Sequence, residues 1–107
     1  MADIFLSYAK EDLNRAKVLV KILERRGWSV WWDVKLLVGT RFDLDLAVEL
    51  REAKCVVVLW SNHSVQSLWV RDEANTGVER RILIPALIDQ VDIPLGFRSI
   101  ETAKLYD

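Results

Sequence analysis

Cysteine and histidine are almost absent. The chain holds one of each, Cys55 and His63. A single cysteine excludes a disulfide within the chain and points to a reducing compartment, so a cytoplasmic location is expected. One cysteine and one histidine cannot build a four-ligand zinc site, and no metal is expected. An excess of charge of either sign is missing too: 15 basic and 16 acidic residues leave a net charge of −1. That balance gives no pull toward nucleic acid or anionic lipid, so neither is expected as a partner. It also leaves little repulsion between copies of the chain. Long apolar runs are missing. The longest, Cys55 to Trp60, is far short of the roughly 20 residues that span a bilayer. No basic stretch followed by a long apolar one precedes the first strand, so no signal peptide is expected. Repeats, low-complexity tracts and linkers are not found.

What is present has globular proportions. Of 107 residues, 51% are hydrophobic and 29% charged, enough for one core and too few for two domains. Strand and helix patterns alternate along the whole chain. Asp3 to Tyr8 reads as a short buried strand. Leu13, Ala16, Leu19, Val20 and Leu23 then recur at helical spacing, and Arg25, Arg26 and Gly27 end that helix. Trp28 to Trp32 reads as a second strand, followed by a loop from Asp33 to Arg41. Phe42, Leu46, Leu50 and Ala53 mark a second helix. Cys55 to Trp60 is continuously apolar, as a central parallel strand buried on both faces would be. A polar loop, Ser61 to Ser67, leads into a short third helix to about Thr76. Ile82 to Ile88 reads as a fourth strand, edge-side or irregular because of Pro85. Ala103 to Tyr106 is a candidate fifth. This alternation predicts an α/β protein: a flavodoxin-like five-stranded parallel sheet of order 2-1-3-4-5 with helices on both faces. Ligands of such sheets sit beyond the carboxyl ends of strands 1 and 3. That rule selects Ser7 and Tyr8 after strand 1, Asp33 after strand 2 and Ser61 after strand 3.

The most informative segment is Ser61 to Glu73. Trp69 and Glu73 are four residues apart and share a helix face, with Ser67 as the helix N-cap. A carboxylate beside an indole in a crevice is partly desolvated, and can act on a developing cation or on a proton. Taken alone, the segment reads more simply as a tryptophan anchor and a solvated glutamate. The Asp33–Arg41 loop carries Val34, Leu36, Leu37 and Val38. They mark either a partner surface or a loop folded back on the domain. Cys55 reads as a small buried hydrophobe and His63 as a loop residue that caps or faces water. Trp28, Trp31 and Trp32 cannot all point to one side of a strand.

With these residues in hand, the chain resembles the Toll/interleukin-1 receptor (TIR) domain, of the bacterial NAD-cleaving kind. The resemblance is carried by Asp3-Ile4-Phe5-Leu6-Ser7-Tyr8, Gly27-Trp28-Ser29-Val30-Trp31-Trp32-Asp33, Gly39-Thr40-Arg41-Phe42, Ala53 to Ser61, Ser67 to Glu73, and Gly96-Phe97-Arg98. No one motif is specific, but the ordered set spans nearly the whole chain. It implies a single TIR domain over residues 1–107, the N-terminal effector part of a longer protein, with the family's C-terminal helix missing from this stretch. It implies that Glu73 is catalytic and that Ser7, Tyr8, Asp33, Gly39, Phe42, Ser61 and Trp69 line or shape the pocket. The family's assembly loop is represented by Val34, Leu36, Leu37 and Val38, although Val38-Gly39 stands where a proline is common beside the glycine.

The implied reaction breaks the nicotinamide–ribose bond of NAD+, which is substrate rather than cofactor; no cofactor is expected. Ordinary glycosidases use two carboxyl groups, one of which protonates a poor leaving group. Nicotinamide leaves neutral from a cationic ring, so one carboxylate suffices to steady the ribosyl cation. The products would be nicotinamide with ADP-ribose or a cyclic ADP-ribose. The expected partners are NAD+ and other TIR domains, in an oligomer or filament, and the expected setting is bacterial immune defence. The alternative is a non-enzymatic TIR adaptor. A phosphorelay receiver would need acidic residues where Ser7-Tyr8 and Ser61 stand, and a flavodoxin would need a phosphate loop where Ala9-Lys10-Glu11-Asp12 stands. A nucleoside-transferring enzyme of related fold remains a minor reading.

Overall fold

The computed structural model describes residues 2–32, 43–94, 96–97 and 102–105, with backbone only for 43–47. Five parallel strands form one sheet of order β2-β1-β3-β4-β5. They are β1 (Ile4–Ser7), β2 (Val30–Trp31), β3 (Cys55–Trp60), β4 (Leu83–Leu87) and β5 (Ala103–Lys104). The helices are α1 (Leu13–Arg25), α2 (Asp43–Glu52) and α3 (Leu68–Glu79), with 3-10 turns at Lys10–Asp12 and Ser64–Gln66. The expected fold class and strand order are found. Asp33, Val34, Leu36, Leu37, Val38, Gly39 and Phe42 lie outside the described residues.

Side-chain alternation divides the core in two. Ile4, Leu6, Val57 and Leu59 meet Ala16 and Val20 of α1 on one face. Phe5, Val56, Val58 and Trp60 meet Leu50 of α2 and Val70 and Ala74 of α3 on the other. A strand buried on both faces has no polar side to show, which is why β3 is apolar at every position. Helix α3 lies close to the sheet because Gly77 faces Leu83 and Val56. A Cβ there would come within 3.1 Å of Leu83 Cδ1 and 3.2 Å of Val56 Cβ.

Three boundaries differ from the sequence reading. Strand β2 is two residues long, not five. Ile4 and Phe5 pair with Val30 and Trp31, while Ser29 is held by the Asp3 side chain, to which its N–H and Oγ–H each donate at 3.0 Å. Helix α3 runs on to Glu79 and ends in a reverse turn with Arg81 at φ 60°. Strand β4 is not the sheet edge, since β5 lies outside it. Yet β5 pairs only from Ala86 onward. Ile88 N–H donates to Trp60 O and β3 and β4 run in register. By alternation, the nitrogen of Pro85 therefore faces away from β3, where it interrupts no bond to that strand.

Candidate active site

Glu73 sits one helical turn after Trp69 on α3, and the two side chains take opposite fates. Glu73 is 5% exposed, whereas Trp69 is 50% exposed. The helix is fastened to the core by Val70 and Ala74. Its start is fixed by Ser67, whose Oγ accepts from the Val70 N–H at 3.2 Å. This places Glu73 against the end of β1, where the Ser7 Oγ–H donates to Glu73 Oε1 at 2.6 Å. Burial pushes the Glu73 carboxyl up to about 7. The Ser7 hydroxyl and the Trp69 indole pull it down, and the Asp72 charge adds to the rise. Near neutral pH the group is thus divided between acid and carboxylate, a condition suited to acid–base or charge-stabilising work.

Above Glu73 opens a cleft of about 680 Å³, a size typical of small-molecule sites. Phe5, Tyr8, Trp31 and Trp69 supply aromatic surface to it. Trp31 stacks on Phe5 with ring centroids 5.0 Å apart. Lys10, Glu11, Asn62, His63 and Gln66 supply polar groups at the exits of β1 and β3. This is the switch point of the sheet, as the strand order requires. Among the described residues no three His, Cys, Asp or Glu side chains converge as metal ligands.

The sequence-derived candidates separate into three groups. Glu73, Trp69 and Tyr8 line the cleft. Ser7 and Ser61 are buried and do not line it. Ser7 directs its hydroxyl at Glu73. Ser61 donates to Asp12 Oδ2 and accepts the His63 and Ser64 N–H groups at 3.1 and 3.0 Å. Its one donor and two lone pairs are then occupied. Asp33, Gly39 and Phe42 fall outside the described residues. The simpler view of Trp69 as core anchor and Glu73 as solvated residue is overturned, because Glu73 is the buried one. His63 is exposed and lines the cleft.

Trp31, Lys10, Asn62 and Gln66 were not anticipated. Alternation along β2 was the available signal for Trp31: with Trp32 beside Tyr8 on the α1 face, Trp31 must face Phe5. Asp12 was not anticipated either. It is 1% exposed, and its Oδ1 pairs with Arg15.

An open, parallel 2-1-3-4-5 sheet with a cleft at its switch point defines a flavodoxin-like α/β protein. A model of the TIR domain matches residues 4–107, and the chain belongs to the TIR domain family. It is 28% identical over 96 residues to the NAD(+) hydrolase tir-1 of Caenorhabditis elegans, covering 81% of this chain and 10% of that protein. It is 28% identical over 102 residues to the NAD(+) hydrolase sarm1 of Drosophila melanogaster, covering 86% and 8%. The chain thus spans about a tenth of the length of these relatives. Among solved structures, the TIR domain of the Toll-related receptor TRR-2 from Hydra magnipapillata superposes with a TM-score of 0.85. That match has 19% identity and covers 98% of this chain and 85% of the other; at that identity the likeness is one of fold. No described helix is long and apolar enough to cross a membrane.

Proposed function

We propose that this domain is an NAD+ nucleosidase in which Glu73 is the catalytic carboxylate. The observation that carries the reading is a single buried carboxyl at the floor of an aromatic-walled cleft, bonded at 2.6 Å to Ser7. The naming of two TIR relatives as NAD(+) hydrolases supports the same chemistry. In the reaction the C1′–N bond breaks and its electron pair leaves with nicotinamide, which departs neutral. The ribosyl cation is faced by the Glu73 carboxylate in a low-dielectric setting, where an opposite charge is worth most. Water captures C1′ to give ADP-ribose, its proton passing to Glu73 or to solvent. Capture by an adenine nitrogen gives a cyclic ADP-ribose instead. No cofactor takes part, and no nucleic acid or membrane is involved. Tyr8 and Trp69 bind the substrate, with Asp33, Gly39 and Phe42 as further contacts. Ser7 and Ser61 shape the pocket from beneath.

Trp69 is half-exposed where it lines the cleft. Closure by a neighbouring TIR domain in a cytoplasmic homo-oligomer, through Val34, Leu36, Leu37 and Val38, is part of the proposal. So is a role in bacterial defence by depleting NAD+ or making a nucleotide signal. The test is NAD+ consumption by concentrated and by artificially clustered protein, wild type against Glu73→Ala, with products separated by chromatography. Release of nicotinamide by the wild type alone supports the reading. No turnover in the clustered sample overturns it and leaves a non-enzymatic TIR adaptor.

A further inference from the structure

The cleft that Glu73 lines has a wall formed by the Lys10–Asp12 turn and the segment Ser61–Ser67, which contribute Lys10, Glu11, Asn62, His63, Gln66 and Ser67 to the lining. Neither piece is regular secondary structure of any length. The Ser61–Ser67 segment is fastened locally by Ser64, whose Oγ–H donates to the Leu59 carbonyl at 2.6 Å while its oxygen accepts the Ser61 N–H at 2.7 Å. Arg71 also fastens it, donating to the Val65 carbonyl at 2.8 Å. A chain of charged groups adds to this and joins the two pieces. Asp12 accepts from Arg15 on one oxygen and from the Ser61 hydroxyl on the other. Arg15 continues to Asp89, with Nη1 2.8 Å from Oδ1 and Nη2 3.2 Å from Oδ2, and to the Ile88 carbonyl at 3.2 Å. Asp89 then accepts the Asn62 N–H at 2.9 Å. The chain begins and ends on the same segment, at Ser61 and at Asn62. Ser61 passes the restraint inward by accepting the His63 and Ser64 N–H groups.

Stability alone does not account for this arrangement. The Arg15 side chain is 42% exposed and that of Asp89 22%, and ion pairs so exposed contribute little. The Asp12 side chain is fully buried, where desolvation opposes the gain from pairing. Buried charge of this kind is best attested where it selects one arrangement over its neighbours. The arrangement selected here is the one that ties the turn after β1 and the segment after β3 to Asp89 after β4.

We propose that Asp12, Arg15 and Asp89 are positioning residues for substrate binding, holding the Ser61–Ser67 wall in the register that completes the cleft lined by Glu73. The inference rests on the nucleosidase reading for its substrate, NAD+, but its structural half does not. Loss of Asp89 frees the Asn62 N–H and leaves Arg15 held by Asp12 and the Ile88 carbonyl alone, while Glu73, Ser7 and the sheet stay intact. The wall then samples other arrangements, and each binding event must first select the competent one. That raises KM and leaves the chemical step alone.

The test uses Asp89→Ala and the milder Asp89→Asn, which keeps an acceptor for Asn62. Amide hydrogen exchange and NAD+ kinetics are both read. In Asp89→Ala, exchange in residues 61–67 should quicken by about tenfold or more while β1, β3 and the rest of α3 keep their protection. KM should rise about tenfold, with kcat and its pH profile within about twofold of wild type. Asp89→Asn should fall between. Unchanged protection of 61–67 overturns the proposal, as does lost protection with unchanged KM, or a fall in kcat with a displaced pH profile. If the wild type turns over no NAD+, the nucleosidase reading fails. The exchange result together with the ability of wild type, but not Asp89→Ala, to bind NAD+ by calorimetry then decides the positioning role.

Discussion

The Ser7 hydroxyl and the Glu73 carboxylate are bonded at 2.6 Å across 66 positions of sequence. The bond joins the end of β1 to the middle of α3. It is one of the forces that keep Glu73 partly ionised in a site whose burial favours the protonated form.

The first prediction is a pH dependence. If the carboxylate faces the ribosyl cation, only the ionised form is active, and activity rises with pH. The midpoint of kcat/KM should lie near the free-enzyme value of about 7. On the nucleosidase reading, bound NAD+ would place a cationic ring beside the carboxylate and favour its charge, so the kcat midpoint should lie lower. Removing the hydroxyl in Ser7→Ala should move the kcat/KM midpoint upward. Rate profiles from pH 5 to 9 read all three, and a flat profile would sink the assignment of Glu73 as the ionising group.

Stability should run the other way. The Glu73 carboxyl is raised in the folded chain, from 4.5 to about 7, so between those values the folded state binds more proton than the unfolded one. Its contribution is fully present below about 4.5 and is lost as pH climbs through 7. The displacement corresponds to roughly 3 kcal/mol at most. Glu73→Gln keeps the shape and removes the titration. It should match wild type near pH 4 and exceed it by about 1–3 kcal/mol at pH 8 in urea unfolding. On the nucleosidase reading, the variant that loses activity would then be the more stable one.

Trp69→Ala separates anchor from ligand contact. At 50% exposure the indole contributes little to the core, so unfolding free energy should change by less than about 1 kcal/mol. NAD+ turnover should fall about tenfold or more if the ring forms a wall of the occupied cleft. A large loss of stability without a kinetic defect would restore the anchor view.

Both long helices end in the same motif with different residues. After α1, the Gly27 and Trp28 N–H groups donate to the Glu24 and Leu23 carbonyls, with Gly27 at φ 91°. After α3, the Arg81 and Ile82 N–H groups donate to Val78 and Gly77, with Arg81 at φ 60°. Glycine suits that left-handed position and arginine does not. Arg81→Gly should therefore stabilise by about 0.5–1 kcal/mol, and Gly27→Ala should destabilise by about 1 kcal/mol, in thermal or urea unfolding.

Much of this was legible in the sequence because it depends on local spacing. The uninterrupted apolar run of β3, the Gly27 stop and the Ser67 cap each announce themselves within a few residues. The sheet order follows from strand–helix alternation. Glu73 was marked by its spacing from Trp69 and by the family resemblance, although the burial that singles it out comes from Ser7 and β1. Ser61 illustrates the opposite case. Its position at a strand end suggested a ligand contact, but Asp12, 49 positions away, takes its hydroxyl. The shortness of β2 was hidden for the same reason, since the Asp3 side chain takes the Ser29 N–H and hydroxyl while the Ser29 carbonyl still accepts from Ile4. Partners chosen by tertiary approach leave no periodic trace.

The bonds that build the site connect residues 49, 66 and 74 positions apart. Closing such separations is the slow part of folding, because each loses chain entropy before any neighbour helps to offset it. The Ser61–Asp12 bond needs β1 and β3 side by side, the Ser7–Glu73 bond needs α3 docked on β1, and the Arg15–Asp89 bond needs β4 in place as well. A half-folded or nicked chain would therefore retain helices and even a partial sheet while lacking a competent cleft. Occupation of the cleft would therefore report completion of the fold, and an incomplete copy would lack a competent site.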